Sequence, residues 1–322
     1  MTAYTSSIRK AARALADGGL VAFPTETVYG LGADAFNARA VRNIFRAKGR
    51  PGDNPLIVHV ATCAQALCVA RRVPASAQRL MDAFWPGPLT VILPRGARVP
   101  DAVTAGLDTV GVREPSHPVA RKFLMAAGTP VAAPSANRSG RPSPTSWRAV
   151  RQDLDGRIDV VLKGGPSRVG LESTVVDCTG RVPVVLRAGA VTLEQLRRVE
   201  PRTRMAGSRD TAKGRSPGLK HRHYAPHAAV RIVARGEEIE AGAAWIGVGR
   251  VPAGASVVKS CRSVAAYARA VFHFFRACEA KGVTAICCAA VPERGIGVAL
   301  MDRLRRAASA TRQTVPTFRQ AL

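Results

Sequence analysis

The polar and apolar positions alternate in two periods along this chain. Residues 6–17 place Ile8, Ala11, Ala12 and Leu15 at helical spacing behind Ser6 and Ser7, and Gly18-Gly19 ends the pattern, so a helix is expected first. Short apolar runs follow at 20–23, 56–60, 89–93, 110–113, 131–133, 158–162, 174–177 and 182–187. They are interleaved with helical stretches near 38–48, 76–84, 117–127 and 192–198. Strands alternating with helices predict an α/β fold with a mixed sheet.

From 199 to 227 the periodicity vanishes into a Gly-, Pro-, Ser- and cation-rich stretch, which reads as a linker or lid. Beyond it, strands at 229–234, 243–248 and 283–289 surround a helix near 263–280 with Val264, Val271, Phe275 and Cys278 inward. A last helix begins near 297. The expected organisation is therefore 1–198, a linker at 199–227, and a small βαβ-type domain at 228–322.

Composition changes this picture in one respect. The 322 residues are 47% hydrophobic, without an apolar run long enough for a membrane helix or the start of a secretory signal, so a cytoplasmic protein is expected. Seven cysteines without a CxxC pair suggest reduced thiols rather than a zinc ribbon. The unusual quantity is the net charge of +26, a field that attracts nucleotides, tRNA or other polyanions without choosing among them. Weak tRNA or RNA binding is one reading of it.

Several motif-like signals carry little. Gly30-Leu31-Gly32-Ala33-Asp34-Ala35 matches a dinucleotide fingerprint but lacks the strand-turn-helix setting, and no P-loop is present. His221, His223 and His227 could chelate a metal, yet Lys220 and Arg222 alternate with the first two and would repel a dication, so no metal site is assigned. Neither Ser135 nor Ser173 sits in a nucleophile elbow.

What remains is a set of polar residues at strand ends and Gly/Pro turns: 24–32 around Thr27, Lys48-Gly49-Arg50-Pro51 with Asn54 and His59, 85–90, Arg113, 133–140 with Ser135 and Asn137, Glu172-Ser173-Thr174, Arg187, and the linker 216–226. Cations, hydroxyls and glycines with few carboxylates suit an anionic, phosphorylated ligand.

In order and spacing these segments resemble the YrdC/Sua5 family, whose FPTETVYGLG, KGRP..NPL, WPGPLT, APSAN.SG..SPT and STVVD motifs are all legible over residues 6–198. The linker SPGLKHRHYAP and the segment 295–304 extend the resemblance to the long, two-domain Sua5 form. Leu219, His221 and Asp302 depart from the Met, Tyr and Asn usual there. The resemblance implies a YrdC-like twisted mixed sheet with helices plus a small Rossmann-like α/β C-terminal domain. It also implies an ATP-dependent nucleotidyltransferase that joins L-threonine, bicarbonate and ATP into threonylcarbamoyl-AMP, with Mg²⁺ bound by the triphosphate. The product would pass to the tRNA threonylcarbamoyl transfer machinery.

Matched residue by residue, threonine falls to Thr27, His59, Arg113, Ser135 and Ser173. ATP falls to Lys48, Arg50, Asn54, Thr109, Asn137, Thr145, Arg187, Arg222 and Tyr224, with Lys48 and Arg50 catalytic. Glu26 is either a base for the amine or a brace for its own turn.

Overall fold

The computed structural model describes residues 1–212, 214–216, 224–234 and 236–312, the last three by backbone alone. The chain divides into two compact units: Met1–Ser139 with Ser143–Lys220, and Gly140–Pro142 with His221–Leu322.

The first unit is built on strands β1 (Ala3–Thr5), β2 (Val21–Phe23), β3 (Gly30–Asp34), β4 (Ile57–His59), β5 (Leu89–Pro94), β6 (Thr109–Arg113), β7 (Val131–Ala133), β8 (Val160–Leu162), β9 (Thr174–Asp177), β10 (Val184–Arg187) and β11 (Arg204–Met205). Among the described residues they form one mixed sheet in the order β1-β8-β2-β3-β7-β4-β6-β5-β9-β10-β11. Its central strands read as unbroken apolar runs because both faces are covered. On β2, Val21 and Phe23 enter one core with Leu15, Phe123 and Val131, while Ala22 between them enters the other with Leu31, Val58 and Val91.

The helices begin and end where local chemistry dictates. Ser7 accepts from the Lys10 amide to open Ile8–Ala16. Asn37 opens Ala38–Lys48, and Gly49 at φ 60° closes it, leaving Lys48 buried in the last turn.

Two elements differ from the sequence expectation. The glycines of the dinucleotide-like stretch lie inside β3, antiparallel to β2 and β7, and a Cβ on Gly32 would come 2.6 Å from Val131 Cγ1, so these glycines serve sheet packing. The stretch after 198 is also not wholly structureless. β11 pairs parallel with β10, Ser208–Thr211 forms a helical turn, and Arg215 reaches Asp177 at 3.1 Å and the Thr179 hydroxyl at 2.9 Å. These contacts are long-range and leave no periodic trace.

The second unit holds four parallel strands, β12 (Ala229–Val233), β13 (Ala244–Val248), β14 (Val257–Cys261) and β15 (Ala285–Ala289), in the order β12-β15-β13-β14. Helices Val264–Ala280 and Ile296–Arg312 accompany them, and Trp245 is buried in the core. β14 is invisible in the hydrophobic pattern because it is an edge strand with its centre exposed. Asp302 forms ion pairs with Arg303 at 2.8 Å and Arg306 at 3.1 Å, a role an asparagine could fill only through uncharged hydrogen bonds. Among the described residues no helix is long and apolar enough to cross a membrane.

Candidate functional site

Between β2 and β3 the chain makes a buried turn. The Thr25 hydroxyl donates to Val28 O at 2.6 Å and lies 2.8 Å from the Thr27 hydroxyl. Ser167, Val169 and Gly170 hold the turn's carbonyls from the opposite side. This fixes Glu26 and Thr27 to face the end of β6.

There Arg113, 3% exposed, donates from Nη1 to the Thr27 hydroxyl at 2.8 Å and from Nε to Gly87 O at 3.1 Å. Its Nη2 lies 2.6 Å from Glu26 Oε1, a close ion pair off the line an ideal hydrogen bond would take. Gly87 follows a cis Trp85–Pro86 bond. A Cβ there would stand 2.2 Å from Phe84 O, so only glycine lets this carbonyl reach Arg113. Three motifs distant in sequence thus converge on one guanidinium.

The parallel pairing of β4 with β6 sets His59 directly beside Arg113, with the imidazole edge-on to Phe23 at 5.6 Å. Burial, reinforced by the charge of Arg113 and opposed by that of Glu26, pushes the His59 pKa down to about 3. The ring is therefore neutral, and its buried Nδ1 has no hydrogen-bond partner among the described residues. Burial alone would raise the Glu26 pKa, but the charge and hydrogen bonding of Arg113 outweigh it and leave the carboxyl below its ordinary range. So held, Glu26 is a poor base and a good anchor for Arg113.

Both shifts act in the same direction on stability. The unfolded chain takes up protons at His59 below about pH 6.5 and at Glu26 below about 4.5, while the folded chain resists both. Stability is therefore expected to be full above neutrality and to fall steadily as pH drops below about 6.5. His59→Asn should flatten the upper part of that slope in urea melts taken from pH 7 to 4, and an unchanged slope would contradict the assignment.

Lys48 is the hub of a second cluster. Its ammonium donates to Ser135 O at 2.6 Å and to Asn137 O, while Ser139 N donates to Lys48 O at 2.9 Å. The Ser135 hydroxyl donates to Asn137 Oδ1 at 2.5 Å. Leu31 N bonds Pro134 O and Ala136 N bonds Tyr29 O, which docks this loop against the end of the Thr27 turn. Arg50 donates to the Asn54 and Pro55 carbonyls at 3.3 and 3.2 Å, and both Arg50 and Asn54 are buried.

A third cluster centres on Ser173. Its hydroxyl lies 2.8 Å from that of Thr90 and accepts from Arg187 Nη2 at 3.1 Å, while Arg187 Nε donates to Ser173 O at 3.1 Å. Thr174 N bonds Pro88 O, which ties this cluster to the Gly87 loop.

The remaining assigned residues are more scattered. Thr145 is buried in the loop that supports the Thr27 turn, its carbonyl accepting from Ser167 N. Thr109 opens β6, four residues and thus about 13 Å from Arg113. Tyr224 lies in the second unit with its ring stacked on Phe272 at 5.4 Å. Arg222, Leu219, His221 and His223 lie outside the described residues. From the sequence, Thr90 stands in the candidate set 85–90 without an assigned ligand, and His117 is passed over. The only signal for Thr90 was its place in WPGPLT. His117 follows the end of β6 and is buried, its pKa lowered by burial against an opposing influence of Glu26.

The architecture and these motif positions have known counterparts. Residues 13–189 match the Sua5/YciO/YrdC family, described as "Telomere recombination", and residues 191–309 match the threonylcarbamoyl-AMP synthase C-terminal domain. The chain belongs to the Sua5/YciO/YrdC family. Among family relatives, the threonylcarbamoyl-AMP synthase of Pyrococcus abyssi is 44% identical over 320 residues, covering 93% of each chain. That of Bacillus subtilis is 43% identical over 323 residues, covering 94% of this chain and 92% of its own. The structure of P. abyssi Sua5 complexed with L-threonine superposes with a TM-score of 0.87 at 40% identity, covering 97% of this chain and 98% of its own. With both family regions present, the chain is an enzyme, a synthase of the nucleotidyltransferase type.

Proposed function

We propose that this enzyme condenses L-threonine, bicarbonate and ATP into threonylcarbamoyl-AMP and pyrophosphate, for later transfer of the threonylcarbamoyl group to tRNA adenosine. The observation that carries the reading is the buried Thr27–Arg113–His59 group. Arg113 uses one N–H on Thr27 and one on Gly87, sits beside Glu26, and keeps further N–H groups for a carboxylate. A neutral imidazole with an open nitrogen accepts from an ammonium or hydroxyl. An amino acid that offers both groups suits this arrangement, and a relative with TM-score 0.87 has been solved with L-threonine.

In this reading Ser135 and Ser173 complete the threonine site. The amine adds to bicarbonate with loss of water to give a carbamate. A carbamate oxygen then attacks the α-phosphorus of ATP, forming the P–O bond as the bond to pyrophosphate breaks. Two anions must meet, and in this reading the buried cations Lys48 and Arg50, with Arg187 behind them, would offset their repulsion. Asn54, Asn137, Thr145, Arg222 and Tyr224 would add nucleotide contacts, and Thr109 would reach only the end of ATP remote from threonine. Mg²⁺ enters as part of the substrate, held by phosphate oxygens and water.

The test is pyrophosphate release from ATP by purified protein. Release that needs both L-threonine and bicarbonate, and is not supported by L-serine, is expected. Release indifferent to them would overturn the reading. The charge of +26 favours, as a second activity, weak RNA binding, which a steep fall of affinity with salt would reveal.

A further inference from the structure

Two hydroxyls meet in the first unit just before β9, and counting their hydrogens gives each a direction. Thr90, on β5, is completely buried, and its Oγ1 lies 2.8 Å from Ser173 Oγ. Among the described residues the Thr90 hydroxyl has no other hydrogen-bond partner. Its methyl lies against Gly111 of β6, where a Cβ would come 3.3 Å from Thr90 Cγ2, so the β-branched side chain has little freedom to turn. Ser173 Oγ, also buried, accepts in addition from Arg187 Nη2 at 3.1 Å.

One hydrogen bond joins the two oxygens, but they carry two hydrogens, so one hydrogen has no acceptor among the described residues. If Ser173 donated to Thr90, the hydrogen left over would be that of Thr90, sealed inside the sheet with nothing to receive it, which is the costly arrangement. If Thr90 donates, Ser173 accepts from both Thr90 and Arg187, its two lone pairs are filled, and its own hydrogen is the one left over. Ser173 stands at the strand end, and its neighbour Thr174 is bonded to Pro88 beside the Gly87 carbonyl that holds Arg113. A ligand in the candidate site can take up that hydrogen. We infer that Thr90 is a positioning residue that makes Ser173 an obligatory donor, so that Ser173 binds a carboxylate or carbamate oxygen of the substrate and not its ammonium. The direction of the bond stands on this geometry alone, whereas its kinetic consequence rests on the proposed synthase reading.

Two measurements on the full-length protein separate these. In thermal melts without substrates, Ser173→Ala strands the Thr90 donor and should lower Tm by about 2–6 °C. Thr90→Val strands nothing and should lower it less. Added to Ser173→Ala, Thr90→Val removes the stranded hydroxyl, so the double variant should melt at or above Ser173→Ala alone. A further fall in Tm on adding Thr90→Val overturns the inference whether or not the protein is a synthase. In kinetics, Thr90→Val should raise the KM for L-threonine about fivefold, the scale of one hydrogen bond, with a smaller change in kcat. Thr90→Ser, which keeps the hydroxyl, should restore the wild-type KM. In the Ser173→Ala background Thr90→Val should change KM no further. A fall in kcat at constant KM, or an equal rise of KM in both backgrounds, also overturns the inference. A wild-type enzyme without threonine-dependent pyrophosphate release would refute the synthase reading alone, and the melts would still decide the direction of the bond.

Discussion

Arg113→Met should lose turnover by about a hundred- to a thousandfold or more, the range for removing one preorganised charged donor from a reacting site. It should also lose about 3–5 kcal/mol of stability, because it leaves the Glu26 carboxylate buried without its cation. The two losses separate in a second variant. Adding Glu26→Gln removes the stranded charge and should restore much of the stability while leaving the enzyme inactive. The pH dependence of the single variant provides a further check. Without Arg113, burial, the largest influence on Glu26, is opposed only by backbone hydrogen bonds at Glu26 and Ser116, so its pKa should rise, the folded state should bind the proton more readily than it does with Arg113 present, and the deficit should shrink as pH falls toward 4. Denaturant melts at pH 7 and pH 5 measure this. An equal deficit at both would mean that Glu26 is not the residue left unpaired.

Gly189→Ala is the second large effect, and it is steric. A Cβ at this position would stand 2.3 Å from Thr174 N, 2.6 Å from Ser173 C and 2.7 Å from Glu172 O, all backbone atoms that cannot swing away. The segment from Arg187 to Val191 lies against the Ser173 strand end, with Arg187 bonded to Ser173 and Val191 O accepting from the Thr174 hydroxyl at 2.6 Å. Forcing them apart should cost about 1–3 kcal/mol or more. It should also separate Arg187 from Ser173, so activity should fall beyond what the loss of folded protein explains. Gly180→Ala is the matched control, since its Cβ would meet nothing nearer than Val182 O at 4.0 Å. Thermal melts and pyrophosphate release on the two variants distinguish them. Two variants that behave alike would remove the argument for close approach at Gly189.

Much of the fold was legible because strands buried on both faces are short continuous apolar runs and helices carry a 3.6-residue stripe. The helix Ala38–Lys48 was expected at those positions, and β7 and β9 at 131–133 and 174–177. Where burial is one-sided or absent the signal fails. β14 is an exposed edge and β11 is two exposed residues, while β3, although buried, is masked by glycine at two of its five positions. The candidate site was legible as a set of motifs but not as an arrangement. Glu26 could be read equally as a base or a brace, and only its 2.6 Å approach to Arg113 favours the brace.

By itself, then, the sequence determined the fold class, the order of the elements and the residue types offered at each strand end, because local periodicity and turn chemistry are written over a few neighbouring residues. The tertiary structure alone decided which of those residues meet. His59 stands beside Arg113 because β4 and β6 pair in parallel register, and Gly87 reaches the same guanidinium from another loop. Such meetings depend on strand order and long-range packing, which no window of local pattern contains.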